Sequence, residues 1–323
     1  MAEMNTYQRY LIEEFAEEYE GRRMSRRDLL RRAALIMGGM PAGLAALAAV
    51  GCEADDGDDT DEPTVTDTAT ARATTAAATT APAETPTASP TQASSGDIVA
   101  QDVIFPGPES QLFAYVASPN NDAIHPGILV IHENRGLVEH IKDVARRYAG
   151  EGFVALAVDL VSRNGGSTED TAANTGFLGS SSTADLVADL QAYVAYLQGL
   201  DGVLPGGIGV TGFCFGGGYT WEITVASDQV VAAAPYYGPC RVIDELSGVG
   251  AAVFAVYAEN DGRVTGDAEA VMTALEASGQ PYEVMIYPGV DHAFFNDTGA
   301  RYSEEAASDA WERTLGWFRE HLA

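Results

Sequence analysis

Residues 208–218 read IGVTGFCFGGG, an apolar run of strand length that leads directly into a glycine-rich turn. The centre of this stretch, Gly212 to Gly216, matches the pattern G-x-S-x-G with Cys214 in place of the serine. The pattern is typical of a nucleophile elbow, a sharp strand-to-helix turn that leaves no room for side chains beside the nucleophile. The N-terminus of the following helix favours an anion and therefore lowers the pKa of a thiol there. The alternative is that Cys214 is a buried structural cysteine.

Other apolar runs of strand length lie on both sides of this turn, and several of them are continuously apolar. Continuous apolar runs are expected for strands that are covered on both faces. Helical periodicity lies between the runs, most clearly in residues 185–199 and 303–322. This alternation predicts a three-layer α/β fold with a mostly parallel central sheet. The predicted strands are residues 98–105, 112–117, 128–131, 153–158, 208–211, 231–234, 252–257 and 282–287.

A cysteine nucleophile needs a base, and the base needs a group that orients it. Asp261 and His292 each follow a predicted strand, at the strand end where open α/β sheets place their ligands. The chain order nucleophile, acid, histidine is that of the α/β-hydrolases. Glu259 and Asp291 are rival acids, but Asp291 is adjacent to His292 and cannot easily face its ring nitrogen. The histidines that do not fit this order are His125, His132, His140 and His321.

Residues 98–322 resemble the dienelactone hydrolase family, the carboxymethylenebutenolidases of the α/β-hydrolase superfamily. The resemblance covers essentially the whole predicted domain and implies a three-layer α/β-hydrolase fold. The segments that carry it are HENRG at 132–136, DLVSR at 159–163, GFCFGG at 212–217, Asp261, HAF at 292–294 and AWERTL at 310–315.

The resemblance implies roles for four catalytic residues. Cys214 would be the nucleophile, His292 the base and Asp261 the residue that orients the base. Glu133 matches a glutamate that holds the proton of the resting thiol until substrate binding turns the cysteine towards the histidine. Without the resemblance, Glu133 would be an ordinary loop carboxylate.

The resemblance also implies contacts to the substrate. The backbone N–H groups of Asn134 and Phe215 would form an oxyanion hole, aimed at the developing oxyanion. Arg163 matches an arginine that binds the substrate carboxylate, and a guanidinium fork suits that group; the alternative is a surface arginine. A second substrate-binding arginine of the family is replaced by Asn296, four residues after His292. This replacement weakens the case for an acidic dienelactone as the substrate.

Tyr236 and Tyr237 follow the predicted strand 231–234 and are expected to line the substrate pocket, with Cys240 as a plain loop thiol. The five histidines are scattered, and no Cys-x-x-Cys or His-x-x-x-His cluster occurs, so the sequence predicts no metal site. Residues 216–218 lack the G-x-G-x-x-G spacing of a dinucleotide site, so no organic cofactor is predicted.

The charge of the chain excludes several classes of partner. Its 18 Lys and Arg stand against 47 Asp and Glu, which gives a formal net charge of −29. Nucleic-acid binding needs clustered basic residues, and so does electrostatic docking on anionic lipid. An acidic surface with a single lysine predicts a soluble monomer. The partner that remains is a small-molecule ester or lactone.

Residues 1–52 are interpreted as a twin-arginine signal segment. SRRDLL at 25–30 is a twin-arginine pattern, an uncharged stretch rich in Ala, Leu and Gly follows it, and AVGC at 49–52 resembles a lipobox. These features predict export by the twin-arginine route, with a lipid on Cys52 as an anchor on the outer face of the cytoplasmic membrane, or secretion without one. The alternative is that the apolar stretch is retained as a transmembrane anchor.

Residues 53–96 are rich in Asp, then in Thr, Ala and Pro, and contain almost no large apolar side chain. Such a composition cannot offset the entropy cost of ordering the chain, so a disordered tether is expected. Residues 97–323 then form the catalytic domain.

These expectations describe a hydrolase that cleaves lactones or activated carboxylic esters by a Cys-His-Asp triad through a covalent acyl-thiol intermediate. Two alternatives stay open. One is a broad-specificity carboxylesterase or thioesterase whose substrate has no carboxylate. The other is a non-catalytic surface-binding lipoprotein on a hydrolase scaffold, because a fold does not determine a function.

Overall fold

A computed structural model describes residues 4–52 and 97–322. The chain divides into two compact units, Met1–Thr91 and Gln92–Ala323. The predicted tether, residues 53–96, lies outside the described residues.

The described part of the first unit contains three helices, α1 (Thr6–Glu20), α2 (Arg26–Met37) and α3 (Met40–Ala49). The side chain of Ser25 caps α2, so the twin arginines are the first two residues of that helix. Within residues 4–52 and 97–322, no single helix is both long and apolar enough to cross a membrane. Helices α2 and α3 satisfy that test together, but they meet at an angle of 104°. The export signal and the lipid on Cys52 stay predictions.

An eight-stranded sheet forms the centre of the second unit, and its order is β1-β2-β4-β3-β5-β6-β7-β8. The pairs β1–β2 and β2–β4 are antiparallel, and the other five are parallel. The mostly parallel sheet is therefore confirmed, with each predicted strand present to within two residues at either end. The strands are β1 (Ile98–Pro106), β2 (Gln111–Pro119), β3 (Gly127–Ile131), β4 (Val154–Val158), β5 (Ile208–Phe213), β6 (Val230–Tyr236), β7 (Ala252–Ala258) and β8 (Tyr282–Tyr287).

Helices cover this sheet, as the alternating pattern predicts. Every residue of β3, β4, β5 and β7 is buried, which requires cover on both faces of the sheet. The two helices predicted from periodicity are observed as α6 (Thr183–Gln198) and α10 (Glu304–His321). The helices of this unit are α4 (Glu139–Gly150), α5 (Thr171–Ser180), α6 (Thr183–Gln198), α7 (Phe215–Ala226), α8 (Gly262–Thr265), α9 (Ala268–Ser278) and α10 (Glu304–His321).

The sheet order decides which loops meet. Strand β5 lies between β3 and β6, and β7 and β8 follow on the β6 side. Because these five strands are parallel, their carboxyl ends lie along one edge of the sheet. The loops after β3, β5, β6, β7 and β8 therefore share this edge, and they carry nearly all of the predicted site residues.

Candidate active site

Cys214 occupies the turn between β5 and α7 in a strained conformation. Its φ is 58° and its ψ is −117°, values that a residue with a side chain rarely adopts. The turn is tight enough to require glycine on both sides. A Cβ atom on Gly212 would lie 2.3 Å from the carbonyl oxygen of Gly216, and one on Gly216 would lie 2.5 Å from the carbonyl oxygen of His132. The sequence pattern thus forms the sharp turn that it predicts, with Cys214 at its apex.

His292 connects the thiol to a carboxylate. Its Nδ1 donates a hydrogen bond of 2.5 Å to Oδ2 of Asp261, and its ring is also hydrogen-bonded to the side chain of Cys214. Asp261 follows β7, and His292 follows β8. All three side chains are buried, with no more than 3% of any of them exposed. The structure therefore brings together the three residues of the predicted triad in the predicted order.

The charges in this row stabilise each other. Burial alone would lower the pKa of His292, but the carboxylate of Asp261 and the thiolate of Cys214 outweigh it and raise that pKa well above its usual range. Burial would raise the pKa of Asp261, but the imidazolium and the nearby Arg263 lower it. The surroundings of His292 therefore favour its protonated form, and those of Asp261 favour the carboxylate.

Glu133 lies in the loop after β3, and its carboxylate is buried. Its Oε2 accepts a hydrogen bond of 2.8 Å from Nδ2 of Asn296, in the loop that follows His292. The amide of Asn296 is held in this orientation because its Oδ1 accepts from the N–H and hydroxyl of Thr298. Asp297, the next residue, is bonded to His140 and Arg147 of α4, which fixes the loop. Asn296 thus holds Glu133 with a neutral amide.

His132 is a second buried histidine, and it is engaged by the backbone. Its Nδ1 donates to the carbonyl oxygen of Glu133 at 2.6 Å, and its Nε2 accepts from the N–H of Leu160 at 3.0 Å. These bonds define a neutral ring, and burial lowers its pKa. His132 joins the loop after β3 to the loop after β4, a structural role that sequence reasoning missed. The order of residues excluded it from the triad but gave no sign of what it contacts.

The two backbone groups predicted for an oxyanion hole lie on neighbouring loops. Asn134 belongs to the loop after β3, where its carbonyl oxygen accepts from the hydroxyl of Thr175 at 2.8 Å. Phe215 is the first residue of α7, directly after Cys214. The loop after β3 is also held by the amide of Asn174, which donates to the carbonyl oxygen of Arg135 at 2.9 Å.

Arg163 is occupied by acidic side chains. Its Nε and Nη2 bind both oxygens of Asp189 at 2.7 and 3.0 Å, and its Nη1 lies 3.2 Å from Asp185 and 3.7 Å from Glu109. The hydrogen bonds to Asp189 raise the pKa of Arg163, so the guanidinium stays charged in this cluster. A substrate carboxylate would have to compete with a buried carboxylate that is already bound in bidentate fashion. This arrangement argues against the predicted substrate-binding role.

The side chains of the adjacent residues Tyr236 and Tyr237 point in different directions. The hydroxyl of Tyr236 is bonded to the carbonyl oxygen of Ala310 and the hydroxyl of Thr314, both in α10. Its predicted place in the pocket wall is therefore not supported, because its polar end is engaged in the core. The ring of Tyr237 instead meets the imidazole of His292 edge to face, with ring centroids 5.0 Å apart.

Cys240 differs from Cys214 in its surroundings. It is buried, and burial raises its pKa to about 12, which keeps the thiol protonated at neutral pH. This is consistent with the expected plain thiol. Within residues 97–322, no three His, Cys, Asp or Glu side chains lie close enough together to hold a metal ion.

Known proteins resemble this chain over most of the second unit. The model of the dienelactone hydrolase family matches residues 112–322. A protein of Synechocystis sp., provisionally named carboxymethylenebutenolidase, is 32% identical over 247 residues, which cover 70% of this chain and 98% of that protein. A protein of Escherichia coli with the same provisional name is 31% identical and covers 71% and 90%.

Solved structures agree with this match. A crystal structure from Klebsiella pneumoniae, provisionally named dienelactone hydrolase, has 31% identity and a TM-score of 0.63, and covers 69% of this chain and 99% of its own. A dienelactone hydrolase-like phosphotriesterase has a TM-score of 0.64 at 20% identity, which shows the shared fold alone. The chain therefore belongs to the dienelactone hydrolase family and is a hydrolase with the α/β-hydrolase fold.

Proposed function

We propose that this hydrolase cleaves carboxylic esters or lactones by covalent catalysis, with Cys214 as nucleophile, His292 as base and Asp261 as the group that orients the base. One observation carries the proposal. Asp261, His292 and Cys214 form a continuous hydrogen-bonded row that is buried and is built from three strand ends. Such a row activates a thiol at neutral pH because the imidazolium stabilises the thiolate.

The reaction proceeds in two halves. The thiolate of Cys214 attacks the carbonyl carbon, and the N–H groups of Asn134 and Phe215 donate to the oxyanion that forms. As the intermediate collapses, the bond to the leaving oxygen breaks, and His292 gives that oxygen its Nε2 proton. Water then attacks the thioester while His292 takes a proton from it. The acid leaves, and the thiolate and imidazolium are restored.

Glu133 is proposed to hold the thiol proton when Cys214 is turned away from His292. Its buried carboxylate, fixed by Asn296, supports this role. In the structure Cys214 is hydrogen-bonded to His292, which corresponds to the orientation that attacks the substrate.

The substrate is proposed to be neutral. The family resemblance implies two arginines that bind a substrate carboxylate. One of these positions holds a different residue, and the arginine at the other is already bound to acidic side chains. Asn296 is uncharged, and Arg163 is neutralised by Asp189 and Asp185. This specific observation favours the second candidate, a carboxylesterase or thioesterase of broad specificity, over a hydrolase dedicated to acidic dienelactones.

The test is a hydrolysis assay of the full-length protein on a dienelactone, a neutral lactone and a p-nitrophenyl ester. Cys214→Ala should lower kcat/KM at least about 1,000-fold on every substrate that is turned over. Cys240→Ala is the matched control and should leave the rates nearly unchanged. Full activity of the Cys214→Ala protein would rule out the proposed chemistry.

Arg163→Ala separates the two substrate classes in the same assay. We expect equal relative changes on the dienelactone and the neutral ester, because the guanidinium is bound to Asp189. A loss confined to the dienelactone would restore Arg163 to substrate binding and would favour an acidic substrate.

We also propose, from the pattern around Cys52, that the chain is exported and lipid-anchored. Metabolic labelling with an alkyne fatty acid in a bacterial host with a twin-arginine pathway tests this. Label on the wild-type protein, and its loss in Cys52→Ala, would support the anchor. Equal labelling of both, or of neither, would contradict it.

A further inference from the structure

Tyr237 has a backbone conformation that costs free energy. Its φ is 36°, a value that is a genuine outlier for a residue with a bulky side chain. The conformation is held because the N–H of Tyr237 donates a hydrogen bond of 2.7 Å to the carbonyl oxygen of Val256 in β7. Strained residues of this kind cluster at functional sites, so the outlier calls for an explanation.

The buried hydroxyl of Tyr237 is a second unfavourable feature. Tyr237 is fully buried, and its hydroxyl has no hydrogen-bond partner among the residues that the structure describes. A buried polar group without a partner is unfavourable and needs a reason. Tyr236, its neighbour in the chain, is equally buried, but its hydroxyl has two partners in α10. The buried hydroxyl of Tyr257 also lacks a partner among the described residues, so it is the position beside His292 that singles out Tyr237.

The surroundings of Tyr237 are those of the catalytic row. Its ring packs edge to face on His292, with centroids 5.0 Å apart, and on Phe294, with centroids 5.6 Å apart. Burial raises the pKa of Tyr237 well above its usual range, and the negative charges of Glu133 and Cys214 raise it further. The hydroxyl therefore keeps its proton and can act as a hydrogen-bond donor, on a ring that packs against His292.

The sheet order separates Tyr237 from Asn134, one of the two proposed oxyanion donors. Asn134 follows β3, on one side of β5, and Tyr237 follows β6, on the other side. The proposed oxyanion donors thus come from the β3 and β5 loops, whereas Tyr237 stands beside His292, the residue that hands a proton to the leaving group.

We propose that Tyr237 is a further catalytic residue, whose hydroxyl donates a hydrogen bond to the leaving-group oxygen as the tetrahedral intermediate collapses. The inference rests on the proposed function. In the step itself, the bond between the carbonyl carbon and the leaving oxygen breaks, and that oxygen receives its proton from Nε2 of His292. Tyr237 keeps its own proton and stabilises the negative charge that develops on the oxygen before transfer is complete.

The test compares Tyr237→Phe with Tyr236→Phe, two variants that each remove one buried hydroxyl from adjacent residues. Full-length proteins are assayed on acetate esters whose leaving groups span a wide range of pKa, and log kcat/KM is plotted against that pKa. In Tyr237→Phe, kcat/KM for alkyl esters should fall about 10- to 100-fold, which is the effect of losing one hydrogen bond to a developing charge. The fall for the p-nitrophenyl ester should be small. The plot for Tyr237→Phe should therefore be steeper than that of the wild-type protein.

Tyr236→Phe should keep the wild-type slope and lower Tm, because it breaks two hydrogen bonds to α10. Tyr237→Phe should leave Tm unchanged or raise it, since no hydrogen bond is lost. An unchanged slope in Tyr237→Phe, or an equal loss on all esters, would overturn the inference. If Cys214→Ala is as active as the wild-type protein, the proposed function fails instead, so the two failures are distinguishable.

Discussion

Two buried histidines lie near buried aspartates in this molecule, and their surroundings give them opposite properties. Nδ1 of His292 is 2.5 Å from a carboxylate oxygen of Asp261, and its ring is also bonded to Cys214. Nε2 of His132 is 4.0 Å from Asp159, and both of its ring nitrogens are bonded to backbone groups. The pKa of the first ring is raised, and the pKa of the second is lowered by burial.

A buried histidine becomes a proton carrier when its partners stabilise the charged ring. Asp159 directs its carboxylate at the backbone N–H groups of Val161 and Ser167 and at the Ser167 hydroxyl, so it is already satisfied. Asp261 has the imidazole as its closest partner. A carboxylate in direct contact and a nucleophile on the other side stabilise the charged ring, whereas a ring held by the backbone on both sides stays neutral.

Replacing each histidine by glutamine should separate the two roles most strongly. His292→Gln should lower kcat/KM at least about 1,000-fold, because the base and proton donor is removed. His132→Gln should retain most of its activity per folded molecule. Steady-state kinetics on a p-nitrophenyl ester, corrected for the folded fraction, measure both. Comparable activity losses in the two folded variants would abolish the distinction.

The aspartates extend the comparison with a smaller effect. Asp261→Asn should lower kcat/KM about 100-fold or more, because a neutral amide neither fixes the tautomer nor stabilises the imidazolium. It should also move the alkaline limb of the pH–rate profile to lower pH, since the pKa of His292, which gives its proton to the leaving group, falls when the negative charge is removed. Asp159→Asn serves as the matched control and should leave the profile in place. A profile shifted equally by both substitutions would count against the assigned roles.

The effect of replacing His132 should appear in the free energy of unfolding. His132→Gln should lower the free energy of unfolding by about 2–4 kcal/mol, because two buried backbone groups, the carbonyl of Glu133 and the N–H of Leu160, lose good partners. Urea denaturation followed by circular dichroism measures this. A His132→Gln protein as stable as the wild type would show that these bonds add nothing.

The two histidines should also make opposite, though small, contributions to the pH dependence of stability. A histidine whose pKa is lowered in the folded state binds its proton more readily after unfolding, so His132 makes the protein lose stability as the pH falls below about 6.5. His292, whose pKa is raised, contributes stability below that value and loses it as the pH rises through its folded-state pKa. The fall in Tm from about pH 7 to about pH 5 should therefore be smaller in His132→Gln than in the wild-type protein. A larger fall in the variant would reverse the assignment.

The sequence predicts the fold well because its signals are local and repeated. Continuous apolar runs mark the strands, and parallel strands collect their carboxyl ends at one edge of the sheet, so three residues after three strands could be expected to meet. Partners that depend on helix register are not visible in this way. Asp189 lies 26 residues after Arg163, on the buried face of α6, and nothing local indicates that it captures the guanidinium.

The directions of the side chains at the end of β6 also cannot be predicted from the sequence. Tyr236 and Tyr237 have the same residue type and adjacent positions, so their sequence context assigns them the same role. A single residue with a φ of 36° turns the second ring towards His292, while the first hydroxyl meets α10. That conformation is imposed by the packing of the neighbouring strand and loops, which no pattern in the sequence encodes.

Cys214 is proposed to carry the acyl group during turnover, and a rapid-quench experiment detects that group. The full-length protein is mixed with p-nitrophenyl acetate, quenched in acid at successive times and analysed by peptide mass mapping. We expect an acetyl group on the peptide that contains Cys214, formed in the first turnover, and none on the peptide that contains Cys240. Turnover with the acetyl group on another side chain, or with none at any quench time, would contradict it.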